Sequence, residues 1–125
     1  MRILLDTNVL VKGMAGVKLP RAVQRILNDP GSKFLVSVVS AWEIINKPNL
    51  GRSATDIHQA IKGINAALLH IQLFHLEELA KLPYRRNHHD PFDRLLIAQA
   101  LAEDIPILTS DIRFEEYPRL QVIWD

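Results

Sequence analysis

The 125-residue sequence contains no cysteine, which excludes a disulfide framework, a thiolate metal site and a cysteine nucleophile together. That absence fits a reducing compartment. Aromatic residues make up only 6% of the chain, too few for the ring platforms on which sugar-cleaving sites are built. No apolar stretch approaches the roughly 20 residues needed to cross a bilayer. The apolar start is interrupted by Asp6 and Asn8 and lacks a small-residue cleavage site after it, so it does not read as a signal peptide. The five glycines match neither a phosphate-binding loop nor a dinucleotide-binding turn, and no serine stands in a nucleophile elbow. Charge of one sign is lacking too: 15 Lys and Arg against 14 Asp and Glu leave a net charge of +1. The expectation is a soluble, cytoplasmic protein with no membrane partner.

What is present is ordinary globular composition, with 48% hydrophobic residues and a length suited to one domain spanning residues 1–125. The balanced total hides a gradient. Residues 1–28 carry Arg2, Lys12, Lys18, Arg21 and Arg25 against Asp6 alone, whereas residues 95–125 are acidic. A basic first part could attract phosphates, but scattered surface lysines and arginines are the commoner explanation.

Short apolar runs alternate with helical patterns. Strands are expected at Arg2–Leu5 and at residues 34–38, 68–74, 105–109 and 120–124. Helices are expected from Pro20 to Asn28, from Ser40 to Ile45, from Ser53 with its capping-box-like Asp56, in a short piece through Leu79, and from Asp90-Pro91 to about Glu103. Strands separated by helices imply parallel βαβ units, hence an α/β fold in three layers around a mostly parallel sheet of about five strands.

In such sheets ligands bind beyond the carboxyl ends of the strands. Asp6 follows the first expected strand and Asp111 the fourth; Glu43 lies in the helix after the second, and Asp93 in the first turn of the helix opened by Asp90. Four carboxylates converging on one edge repel one another, so at least one should have a raised pKa, and the cluster needs protons or a cation. Oxygen donors alone match a hard ion, Mg²⁺ or Mn²⁺, which suits phosphate-ester chemistry. Each residue also has a plain structural explanation. Asp6-Thr7-Asn8 reads as a turn, Asp93 as a helix-dipole carboxylate, Asp111 as a cap for Ile112–Glu116, and Glu43 as a surface residue. His88-His89-Asp90 reads as surface or hydrogen-bonded loop histidines, because neighbours in an extended loop point apart. His58, His70 and His75 have no ligand-like spacing, and Trp42 and Trp124 are expected in the core or at an interface.

Four segments together resemble the PIN-domain ribonucleases, and within them the VapC-type toxins of toxin–antitoxin pairs. They are Leu4-Leu5-Asp6-Thr7-Asn8, Ser40-Ala41-Trp42-Glu43-Ile44, the run from His89-Asp90-Pro91-Phe92-Asp93-Arg94 to Ala100, and Ile107-Leu108-Thr109-Ser110-Asp111 with Phe114. The resemblance implies a metal-dependent endoribonuclease whose site is Asp6, Glu43, Asp93 and Asp111, with Asp6 and Asp93 first as direct ligands of Mg²⁺, or of Mn²⁺ in its place. It implies supporting roles for Asn8 and Thr109, and an RNA-phosphate or structural role for Arg94. The partners it implies are an RNA substrate, a small DNA-binding antitoxin and a second copy in a homodimer. Two segments depart from the family pattern: residues 11–18 are small and aliphatic where relatives are aromatic, and Glu43 is followed by Ile45-Asn46-Lys47-Pro48 rather than a lysine-rich stretch. A catalytically inactive PIN-like binding module is the alternative. A phosphoacceptor receiver is disfavoured, since no lysine occurs after residue 81.

Overall fold

In the computed structural model, which describes residues 1–124, the chain runs β1 (Arg2–Leu5), α1 (Thr7–Met14), α2 (Arg21–Asn28), β2 (Lys33–Ser37), α3 (Val38–Ile45), α4 (Ala54–Gly63), β3 (Ala67–Leu69), α5 (Leu73–Lys81), α6 (Pro91–Glu103), β4 (Ile107–Leu108) and β5 (Val122–Ile123). Short 3-10 turns fill Pro48–Leu50 and Ile112–Glu116. The strands form one sheet in the order β3-β2-β1-β4-β5, and every adjacent pair is parallel. β1 is central: Leu4 lies opposite Leu35 on one side and Ile107 on the other.

Alternation along β1 divides the core between two faces. Leu4 packs with Leu35, Ile107 and the α6 residues Leu95, Leu96, Ile97 and Ala100. Ile3 and Leu5 point the other way, among Val9 and Leu10 of α1, Val23 of α2 and Ile57 of α4. α3 serves both faces, through Val39 on one and Ile44 on the other. A sheet with helices on both faces is the three-layer α/β arrangement expected from the alternating pattern. Among the described residues, no helix is long and apolar enough to cross a membrane.

Local signals held where they were strong. Asp90 caps α6, accepting from the backbone N–H of Phe92 and Asp93, with Pro91 at the first helical position. Ser53 and Asp56 form a reciprocal capping box on α4. Three expectations need correction. The segment after Asp6 is a helix rather than a turn: Val9 and Leu10 bury themselves against the sheet, outweighing the weak propensity of Asn8 and Gly13. The third strand stops at Leu69, because the N–H of Gln72 donates to Nδ1 of His75 (3.0 Å) and starts α5 at Leu73. A histidine in the place where a capping box normally holds Glu or Gln gives no recognisable signature. Trp42, finally, expected in the core or at an interface, is 56% exposed, which removes only the first of these alternatives.

Arg94 on α6 is buried, and its role follows from its contacts. Nη1 donates to the carbonyl of Pro83 (2.9 Å) and Nη2 to that of Leu82 (3.0 Å), while the guanidinium lies 4.0 Å from the centre of the Tyr84 ring. Of its two expected roles the geometry favours the structural one: Arg94 fastens the loop between α5 and α6 that leads into the helix bearing Asp93. Arg94→Met strips two carbonyls of charged donors and removes the cation–π contact, so unfolding in urea should reveal a loss of about 2–4 kcal/mol. A loss under about 1 kcal/mol would mean that the loop holds itself.

Candidate metal centre

Because all five strands run the same way, β1, β2 and β4 end on one edge of the sheet, and the acidic residues gather there. Asp6 directly follows β1, and its backbone N–H donates to the Leu108 carbonyl of β4 (3.0 Å). It stands at the N-cap position of α1, yet its side chain makes no capping bond. The carboxylate is instead buried, 2% exposed, and Oδ2 accepts from Oγ1 of Thr109 (2.8 Å). The same Thr109 oxygen accepts the backbone N–H of Asp111 (3.0 Å), so one hydroxyl ties two acidic residues together. Thr7 donates to Ser40 (2.9 Å, both buried) and draws α3, with Glu43, towards β1.

Burial pushes the pKa of Asp6 up to about 7; the Thr109 hydrogen bond opposes the rise, and repulsion from Asp93 and then Glu43 adds to it. A raised carboxylate is thus present as expected, with desolvation rather than repulsion as the larger cause. Asp93 is also raised, again through burial first, with His88 opposing and Asp90 and Glu43 adding. Asp111 goes the other way: the Arg113 guanidinium holds it below the usual carboxylate range. Arg113 donates through Nη2 to Asp111 Oδ2 (2.6 Å) and through Nε to Oδ1 (3.0 Å), and its Nη2 lies 3.9 Å from Asp93 Oδ2. Asp111 also caps the turn Ile112–Glu116 by accepting the Arg113 N–H (3.0 Å).

The four carboxylates therefore fall into two halves that share Asp93. Donor atoms of His88, Asp93 and Asp111 lie within 4.8 Å of one another, a spacing that suits an ion, but that half already holds the Arg113 guanidinium. The half formed by Asp6, Glu43 and Asp93 is under-compensated. Glu43 is buried; Lys47 reaches only its Oε2 (2.9 Å), and its Oε1 has no hydrogen-bond partner. A buried, unpartnered carboxylate oxygen beside a carboxyl whose ionisation burial disfavours is what a cation site looks like when its charge is only partly balanced. Three carboxylates without nitrogen or sulfur donors fit a hard divalent ion that keeps several of its waters.

The supporting residues divide. Thr109 is placed to orient Asp6, whereas Asn8 is exposed on α1 and makes no side-chain hydrogen bond among the described residues. Of the two expectations for His88, surface or hydrogen-bonded loop residue, the second holds: it is fully buried, with Nε2 3.0 Å from Asp93 Oδ2. Its only local signal was its place five residues before Asp93, too far for a helical pairing and so uninformative without the fold.

The profile of the PIN domain family matches residues 3–120. The chain belongs to the PIN domain family. No curated protein matches this PIN domain in sequence. Among solved structures, it is similar to VapBC2 of Rickettsia felis bound to a DNA fragment from its promoter, with 18% identity over 100% of both chains and a TM-score of 0.71. DNA-bound VapBC of Salmonella typhimurium matches at 16% identity over 98% of this chain and 97% of that one, with a TM-score of 0.73. VapBC-5 of Mycobacterium tuberculosis, from a family of toxin–antitoxin systems, matches at 17% identity over 99% and 98%, with a TM-score of 0.66. At these identities the likeness establishes a shared fold.

The Asp6 shift fixes a pH dependence. Its folded pKa lies above the unfolded value, so its contribution to stability is complete below about pH 4 and is lost as pH rises to about 7. In chelator at pH 8, Asp6→Asn keeps an acceptor for Thr109 but has no charge to bury, and should be more stable than the parent by on the order of 2–4 kcal/mol. The difference should vanish near pH 4. Thermal melts at both pH values check this; a variant that melts lower than the parent at pH 8 would show that the Asp6 carboxylate is not under strain.

Proposed function

We propose that this PIN domain is a metal-dependent endoribonuclease and the toxin of a toxin–antitoxin pair, acting in the cytoplasm. The observation that carries this reading is the half-balanced acidic cluster at the carboxyl edge of the sheet, with Glu43 Oε1 unpartnered and the ionisation of Asp6 disfavoured by burial. Asp6, Glu43 and Asp93 are the residues to hold Mg²⁺ or Mn²⁺. Once bound, such an ion supplies an activated water and neutralises charge on the phosphodiester. Thr109 orients Asp6, whose carboxylate would be a ligand in its ionised form. Asp111 works through Arg113, holding a guanidinium at the rim of the cluster, where an RNA phosphate arrives and meets a bidentate donor.

Cleavage of RNA in Mg²⁺ or Mn²⁺, abolished by chelator, is the expected activity. Asp93→Asn keeps the side chain's shape and removes a ligand charge, so it should lower the rate by roughly 100-fold or more. Purified Asp93→Asn protein that cuts RNA as fast as the parent would sink the metal-site reading.

Two apolar surfaces fit the expected protein partners. Between α1, α2 and α4 lies a groove of about 260 Å³ lined by Leu10, Met14, Leu27, Ala60 and the helical glycines Gly13 and Gly63. Neither glycine has a neighbour within 4 Å of where a Cβ would stand, so packing inside this chain does not require them, though each weakens its helix by about 1 kcal/mol relative to alanine. A partner helix approaching closely accounts for both, and we assign the groove to the antitoxin's apolar segment. Ile45 and Leu68 line a second apolar groove beside α4, and we assign this face to a homodimer. Gly13→Leu should leave folding intact and prevent copurification with a co-expressed cognate antitoxin. A variant that still brings that partner down at full yield would place the antitoxin elsewhere.

A further inference from the structure

His88 is the one fully buried imidazole that reaches the acidic cluster, and both of its ring nitrogens are engaged. Nε2 lies 3.0 Å from Asp93 Oδ2, and Nδ1 lies 3.2 Å from the hydroxyl of Tyr117. The ring packs against Phe114, 5.2 Å away between centroids, and edge-on to Tyr117 at 5.7 Å. Phe114 and Tyr117 lie just after Asp111, so this single side chain bridges the start of α6, which bears Asp93, and the turn that follows β4.

We propose that His88 is a positioning residue of the metal centre: its Nε2–H holds one oxygen of Asp93, the Tyr117 hydroxyl fixes the ring in that tautomer, and the second Asp93 oxygen is left for the cation. The inference rests on the reading of Asp93 as a cation ligand. An ionised carboxylate only accepts, so Nε2 donates, and Nδ1 is then the acceptor for the Tyr117 O–H. Arg113 also approaches Oδ2, and among the described residues Oδ1 of Asp93 accepts no hydrogen bond. Direct ligation is the poorer account, because Nε2 would have to leave Asp93 and shed its proton to offer a lone pair. Carboxylate ligands oriented by a hydrogen bond are a general feature of metal centres, and losing such a partner typically weakens metal affinity about 10–100-fold.

Mn²⁺ binding to the purified protein without RNA, followed by the electron paramagnetic resonance of the free ion, reads this separately from activity. His88→Leu should weaken binding roughly 10-fold or more. His88→Gln, whose amide N–H reaches about where Nε2–H does, should stay within about threefold of the parent. Tyr117→Phe keeps the ring but frees the tautomer, and should fall in between. Melting curves in chelator confirm that each variant is folded. Parent-like binding by His88→Leu, or equal weakening in His88→Gln and His88→Leu, overturns the proposal. If His88→Leu does not fold, Tyr117→Phe decides, and parent-like Mn²⁺ binding by it overturns the relay. Asp93→Asn separates the two levels. If it binds Mn²⁺ like the parent, the site reading fails and the proposal with it; if it loses Mn²⁺ while His88→Leu keeps it, only the proposal fails.

Discussion

The parallel pairing of β1 with β2 and β4 governs everything at the acidic edge. Backbone N–H and C=O groups cannot stay unpaired in the interior, so a central strand is held on both sides along its length. That pairing carries Asp6 to the end of β1 and Thr109 to the end of β4, close enough for a 2.8 Å hydrogen bond between residues 103 positions apart. A shift of one residue in this register would exchange the faces of Ile3, Leu4 and Leu5 and move Asp6 away from its partner. The two halves of the core resist such a slip, because each needs its own set of β1 side chains.

Burial then sets the electrostatics. The edge that receives Asp6 is closed by α1, α3 and α6, so the carboxylate loses its water without gaining a cationic partner, and its pKa rises for that reason before any repulsion acts. Asp111 carries the same functional group and moves in the opposite direction, because it lies further out, with Arg113 two residues away. Two aspartates of one cluster are thus prepared for different work. One is buried without a cationic partner; the other has one already, supplied by the chain.

Polar groups buried elsewhere are matched more completely. Gln99 and Ser37 meet inside the core, and His75 joins Glu103 (2.9 Å) across the α5–α6 pair. Against that background two buried side-chain atoms among the described residues lack a partner, Oε1 of Glu43 in the acidic cluster and Nε of Arg85, and native interiors leave few such atoms unsatisfied. The helical glycines at the groove follow the same logic for apolar surface: intrinsic helix stability is sacrificed at positions where this chain alone gains nothing.

The sequence by itself determined the features whose physics is local. Asp90-Pro91 and Ser53 with Asp56 announced helix starts because a cap is formed within four residues. Alternating apolar runs announced a parallel sheet because both faces of its strands must be buried, and that sheet placed Asp6, Glu43, Asp93 and Asp111 near one edge. Tertiary structure alone decided how those residues differ. It turned residues 7–14 into a helix by giving Val9 and Leu10 a sheet to pack on, ended the third strand at a histidine cap, and made Arg94 a fastening for a loop. It also buried His88 between Asp93 and Tyr117, and divided one acidic cluster into a half held by Arg113 and a half in which Lys47 reaches only one oxygen of Glu43. Desolvation and ion pairing depend on which distant segments close over a side chain, and a linear pattern holds no record of that.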